Sequence, residues 1–148
     1  VATIGIFVGT VYGNAQFIAE EIQPVLEKAG HQAVIYDEPT WQQWCQATLD
    51  IHLIITSTTG QGDFPDNIVN LYQDMQQQSG YQPSIRYSVI ALGDSSYPDF
   101  CQAGKNFDQL LQSHQAMRLG DILSIDATET AEPEQVVIAW LPSWLNLF

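Results

Sequence analysis

Short apolar runs alternate with longer stretches of helical period along the chain, and that alternation predicts a parallel α/β sheet. Residues 1–8 (VATIGIFV) form a run rich in β-branched side chains that stops at Gly9, as a first strand would. Over residues 13–29, Phe17, Ile18, Ile22, Val25, Leu26 and Ala29 recur at helical spacing, which predicts a helix with one apolar face, ended by Gly30. Residues 31–36 (HQAVIY) and 49–57 (LDIHLIITS) read as the second and third strands. Pro65 opens another helix that buries Ile68, Val69, Leu71, Tyr72 and Met75 and ends over residues 76–80. Residues 86–92 (RYSVIAL) predict a fourth strand and residues 104–113 a helix with Phe107, Leu110 and Leu111 inward. Residues 118–125 predict a fifth strand, and a last helix from about Pro133 turns Val136, Val137, Trp140, Leu141 and Trp144 to the core. The segment after Pro39 has room only for a short helix or turn, in which Trp41 and Trp44 share a core-facing side.

Composition narrows the function classes. Seventeen acidic residues face four basic ones, Lys28, Lys105, Arg86 and Arg118, for a formal net charge of −13. Nucleic acids and anionic membranes both demand clustered Lys and Arg, so neither is an expected partner. A hydrophobic fraction of 45% with only 14% charged residues is wrong for disorder. The length of 148 residues, with no linker or internal repeat, predicts one domain over residues 1–148. Cys45 and Cys101 form no CxxC pair and have no metal-type spacing with His31, His52 or His114, so both are expected to be buried free thiols. No basic segment precedes the first apolar run and no apolar run is long enough to span a bilayer, so a cytoplasmic location is expected.

Candidate chemistry lies at the carboxyl ends of the predicted strands, where open parallel sheets bind ligands. Gly9-Thr10-Val11-Tyr12-Gly13-Asn14 leads straight into a helix. Open N–H groups and the positive end of a helix dipole can hold a phosphate there without a Lys or Arg. Alone, this loop reads equally well as a plain strand-to-helix turn, since it has neither a Walker sequence nor GxGxxG. The third strand is followed by STTGQGDFPDN over residues 57–67, and the fourth by GDSSYPDFC over residues 93–101.

Taken together, GTVYGNA, STTGQGDFPDN and ALGDSSYPDFC resemble the phosphate loop and the two flavin loops of the short-chain flavodoxins, particularly the YqcA and MioC branch. The resemblance spans essentially the whole chain and implies a flavodoxin-like α/β fold: one doubly wound, five-stranded parallel sheet in the order 2-1-3-4-5 with helices on both faces. The lack of an insertion splitting the fifth strand goes with the short-chain type. By this resemblance the cofactor is FMN. Thr10, Asn14 and Ser57 would bond its phosphate together with the amides of Val11, Tyr12, Gly13, Asn14 and Ala15. Tyr97 would stack on the outer face of the flavin ring, and backbone groups of Asp94, Asp99 and Cys101 would hold its pyrimidine edge. The Gly60 carbonyl would turn toward the central ring in the semiquinone. Thr58, Thr59, Gln61, Gly62, Asp63, Phe64, Leu92, Gly93 and Phe100 complete the implied cofactor-binding set.

Two departures from the family pattern bear on affinity. Tyr12 and Ala15 stand where relatives commonly have threonines, and Thr59 stands where many have an inner aromatic ring. Phe64 is either a replacement for that ring or a hydrophobic lip of its loop. The departures imply weaker FMN binding than in a flavodoxin with two stacking rings.

The function implied is that of an electron-transfer protein with no catalytic residue and no metal. It would be a monomer cycling between low-potential semiquinone and hydroquinone, carrying single electrons from a basic-surfaced flavodoxin reductase to a redox acceptor protein. Asp63, Asp66, Asp94, Asp99, Asp126 and Glu129 lie in or near the presumed flavin loops. Like charge beside a reduced flavin would lower its potential, and an acidic face would steer toward a basic partner. The alternative is a small FMN-dependent quinone or NAD(P)H oxidoreductase. A phosphorylation-regulated receiver domain is excluded, since the strand ends lack its acids and its lysine.

Overall fold

The computed structural model describes residues 1–59, 62–78 and 80–148. Among these, six strands form one parallel sheet: β1 (Thr3–Gly9), β2 (Gln32–Tyr36), β3 (Ile51–Ser57), β4 (Arg86–Gly93), β5 (Met117–Arg118) and β6 (Leu123–Asp126). Their order is β2-β1-β3-β4-β5, and β6 also pairs with β4. The helices are α1 (Asn14–Lys28), α2 (Trp41–Trp44), α3 (Asp66–Gln78), α4 (Gln102–Ser113) and α5 (Pro133–Leu145).

The sheet separates two apolar layers, as the alternation of side chains along a strand requires. Ile4, Ile6 and Val8 of β1 pack with Ile18, Ile22 and Leu26 of α1 and with Val137, Leu141 and Trp144 of α5. On the other face Phe7 and Ile54 join Trp44, Ile68, Leu71 and Met75 with Phe107 and Leu111 of α4. Burying one such side chain contributes roughly 1.5–3 kcal/mol. Most polar side chains caught inside are paired; among the described residues Gln16 Oε1 and His52 Nδ1 are not. Trp144 Nε1 donates to Ser88 Oγ at 2.7 Å, and Ser88 donates onward to the Leu119 carbonyl at 2.8 Å.

The region expected as one fifth strand is two short pieces. Arg86 and Tyr87 pair with Met117 and Arg118, whereas Ile90 to Gly93 pair with Leu123 to Asp126, so the partner numbering slips by two across the break. The turn is made by Gly120 at φ +77°, a left-handed conformation a side chain would resist. Arg118 Nε caps it by donating to the Gly120 carbonyl at 2.8 Å, while its guanidinium pairs with Asp108 at 2.7 Å. Cys45 is a second departure. It is exposed, because Trp44 takes the inward position beside it, whereas Cys101 is buried. Trp44 is fully buried, with Nε1 donating to Gln82 Oε1 at 2.9 Å, and Trp41 is half-buried against the same layer.

His52 sits in β3 against the rings of Phe7 and Trp44, at centroid distances of 5.6 and 4.4 Å. Its Nε2 lies 2.8 Å from the Trp44 carbonyl, so that nitrogen carries the proton and donates. Nδ1 is buried with no hydrogen-bond partner. A proton on Nδ1 would place a charge among apolar rings, and burial accordingly holds the His52 pKa below its ordinary value. The unfolded chain binds that proton near pH 6.5 and the folded chain does so only at lower pH. The neutral imidazole therefore contributes stability that is complete above about pH 6.5 and is lost as pH falls through the folded value, at no more than about 1.4 kcal/mol per pH unit. Denaturant unfolding measured from pH 7 to pH 5 should show a shallower stability loss in His52→Leu than in the parent. Equal slopes would refute this account.

Candidate functional site

The carboxyl ends of β1, β3, β4 and β6 open into loops on one side of the sheet, around a cleft of about 630 Å³. That size suits a small organic cofactor. The first wall is the turn from β1 into α1. The Thr10 N–H donates to Asn67 Oδ1 at 2.9 Å, and Thr10 Oγ1 accepts from the Gly13 N–H at 2.8 Å. No side chain caps α1, whose N-cap Gly13 is left-handed at φ +90°. The first helical bond runs from the Phe17 N–H to the Gly13 carbonyl. The N–H groups of Asn14, Ala15 and Gln16 therefore stand ahead of the ladder, at the positive end of the helix dipole. Val11, Tyr12 and Asn14 line the cleft here; Thr10 and Gly13 stand behind them, engaged with each other. Thr10 retains its hydroxyl hydrogen to donate, whereas the Gly13 amide is already used.

The second wall follows β3, where Ser57, Thr58 and Thr59 line the cleft. Thr58 Oγ1 accepts from the Ala103 N–H at 3.1 Å, tying this loop to the first turn of α4. Thr59 closes a turn on the Asp63 carbonyl through its N–H at 3.0 Å and its hydroxyl at 3.2 Å. Gly60 and Gln61, expected among the flavin contacts, lie outside the described residues. Asp63 is exposed, and Gly62 lies close against Asp99 of the next loop. Phe64 turns away from the cleft to pack on Tyr72 and Phe107, at centroid distances of 4.4 and 5.2 Å.

The third wall follows β4 and contains Leu92, Gly93, Asp94, Tyr97, Asp99, Phe100 and Cys101, all of which line the cleft. Asp94 Oδ1 accepts from the N–H of Ser96 at 2.9 Å and from its hydroxyl, while the Asp94 carbonyl accepts from the Tyr97 N–H at 3.1 Å. This turn sets Tyr97 on the rim with half its surface in solvent. Cys101 caps α4 in a left-handed conformation, φ 56°. Its Sγ donates to the Ala91 carbonyl at 3.3 Å, and burial pushes the thiol pKa up to about 11. The group is thus a neutral donor rather than a nucleophile. A Cβ on Gly93 would lie 2.8 Å from the Cys101 nitrogen, so only glycine lets these two backbones approach.

A fourth wall was not among the expected contacts. Ile125, Ala127, Thr130, Ala131 and Pro133 line the cleft after β6. Asp126 organises the loop: its Oδ1 accepts from the N–H groups of Ser95 at 3.1 Å and Thr128 at 3.0 Å, and from the Thr128 hydroxyl at 2.8 Å. Hydrogen bonds from Ser95 and Thr128 hold the Asp126 carboxyl well below the usual carboxylate range. An Asp at a strand end with Thr two residues on is the sequence signal for this turn, though it reads as generic loop chemistry.

Comparison with known proteins places this architecture. The Flavodoxin family model matches residues 6–140. Flavodoxin YqcA of Pectobacterium carotovorum subsp. carotovorum is 51% identical, over 99% of this chain and 97% of its own. A MioC homolog of Haemophilus influenzae is 31% identical over 97% of each chain. A cysteine-to-alanine mutant of a Pseudomonas aeruginosa flavodoxin superposes with a TM-score of 0.90 at 32% identity, covering 98% of this chain and 97% of its own. The residues present fit that family's FMN. The uncapped start of α1 suits a phosphate, and the aromatic rim with the close Gly93–Cys101 approach suits a flat ring. The chain belongs to the flavodoxin family, whose members bind FMN and carry electrons without being enzymes.

Proposed function

We propose that this chain shuttles single electrons at low potential from a reductase with a basic docking face to a redox acceptor protein, using FMN held among the four loops. The observation that carries the reading is an uncapped helix N-terminus and an aromatic rim facing one cleft, with carboxylates around it. Bound FMN supplies the capacity to take up and release one electron at a time.

The chain's own residues hold and tune the cofactor. The N–H groups of Asn14, Ala15 and Gln16 take the phosphate, helped by Ser57 and the Thr10 hydroxyl, so the 17 acids and 4 bases of the sequence are no obstacle. The Tyr97 ring covers one face of the flavin and keeps water from it. Backbone groups of Asp94, Asp99 and Cys101 hold the polar edge, and the neutral Cys101 thiol adds no charge. Asp63, Asp94 and Asp99 disfavour further negative charge in the cleft and thereby lower the potential of the second electron. Lys105, 5.7 Å from the Phe100 ring, is the cation beside this wall.

Anaerobic stepwise reduction followed by visible spectroscopy should take a yellow protein through a distinct one-electron stage. A colourless protein that FMN cannot reconstitute would overturn the reading, as would NADPH-dependent turnover by the pure protein. In the double variant Asp63→Asn, Asp94→Asn the potential of the second electron should rise by tens of millivolts, the size expected for two partly screened carboxylates. Electron transfer from a basic reductase should also lose part of its salt dependence. An unchanged potential would rule out the carboxylates as its cause.

A further inference from the structure

We propose that Asn67, near the start of α3, is the positioning residue of the phosphate loop and sets the preference of this protein for a phosphorylated flavin. The inference rests on the reading of the α1 N-terminus as the phosphate seat. Three backbone groups from two separate stretches of chain meet on this one side chain. Asn67 Oδ1 accepts from the Thr10 N–H at 2.9 Å. Its Nδ2 donates to the Val8 carbonyl at 2.8 Å and to the Asp37 carbonyl at 2.8 Å.

The placement explains the need for such a tie. The ladder between β1 and β2 ends at the pair Phe7 and Tyr36. The next residues along both strands, Val8 and Asp37, give their carbonyls to a single side-chain nitrogen, which extends the ladder by one rung. The same amide then fixes Thr10, the first residue beyond β1. Thr10 passes the constraint on, because its hydroxyl accepts from the N–H of Gly13, the N-cap of α1. An unbroken series of hydrogen bonds thus runs from α3 through Asn67, Thr10 and Gly13 to the helix start. Asn supplies one acceptor and two donors in the arrangement required, whereas Asp would set oxygen against two carbonyl oxygens.

The flavin ring is the concern of other residues. Asp94, Tyr97 and Cys101 belong to the loop after β4, and none of the three hydrogen bonds of Asn67 reaches it. Loosening Asn67 should therefore weaken the hold on phosphate and leave the hold on the ring. This separates a positioning role from a structural one, since general destabilisation would weaken every flavin alike.

The test is a fluorescence titration of the full chain, stripped of flavin, with FMN and with riboflavin, in the parent and in Asn67→Ala. The expected result is a parent that prefers FMN and a variant whose Kd for FMN rises roughly tenfold, as loss of one or two hydrogen bonds would give, while riboflavin changes less than about twofold. A parent that binds riboflavin as tightly as FMN would overturn the phosphate seat and the role of Asn67 with it. A parental preference that survives in Asn67→Ala, or an equal loss for both flavins, would overturn the role of Asn67 alone. Amide exchange in the unsubstituted, flavin-free chain supplies an arm independent of whether the variant folds. The Thr10 N–H should exchange slowly, and exchange at the rate of an open loop amide would refute the tie.

Discussion

Parallel pairing is the constraint from which the site follows. Because β1, β3, β4 and β6 run the same way, each delivers its following loop to the same end of the sheet. The order β2-β1-β3 reverses the direction of winding between the first two crossovers, which opens the crevice where such sheets take ligands. The two apolar layers make that arrangement rigid, with α1 and α5 on one face and α3 and α4 on the other. The loops can then be short and polar, because the strands beneath them position their ends.

What was legible in the chain was what periodicity and punctuation encode. The strands through β4 and the long helices follow from runs such as VATIGIFV and from apolar residues at helical spacing, and three of the four walls follow from polar loops at strand ends. The break between β5 and β6 was hidden, since Arg118 to Ile125 retains a strand-like run of Leu and Ile across Gly120 and Asp121. The fourth wall was hidden for a different reason. Ala127, Thr130 and Ala131 are small and chemically plain, and they reach the cleft because Asp126 gathers Ser95 and Thr128 around it. Cys45 shows the limit of composition as a guide to burial: one residue past the buried Trp44, the same short helix faces water.

The charge balance acquires a spatial meaning. Arg118, one of the four bases, is occupied with Asp108 beside the buried Tyr87, whose hydroxyl donates to that same carboxylate at 2.5 Å. Lys28 lies in the last turn of α1, at the opposite end of the helix from the proposed phosphate seat. In the proposed arrangement backbone dipoles answer for the phosphate, and Lys105, beside the Phe100 ring, is the base that lies close to the carboxylates of the rim. A single acidic composition thus coexists with an anionic ligand and with an electrostatically marked surface around it.

The interruption between β5 and β6 has a consequence beyond the register of the sheet. These two pieces form the outer margin of β4, where a long straight strand would present a continuous row of N–H and C=O groups to any other extended chain. Two residues looped out at Gly120 break that row, and the second piece is only four residues long. The border closest to the fourth wall is thereby a poor template for strand addition, and a carrier that must meet and leave its partners repeatedly is protected on that side from sticking to its own kind.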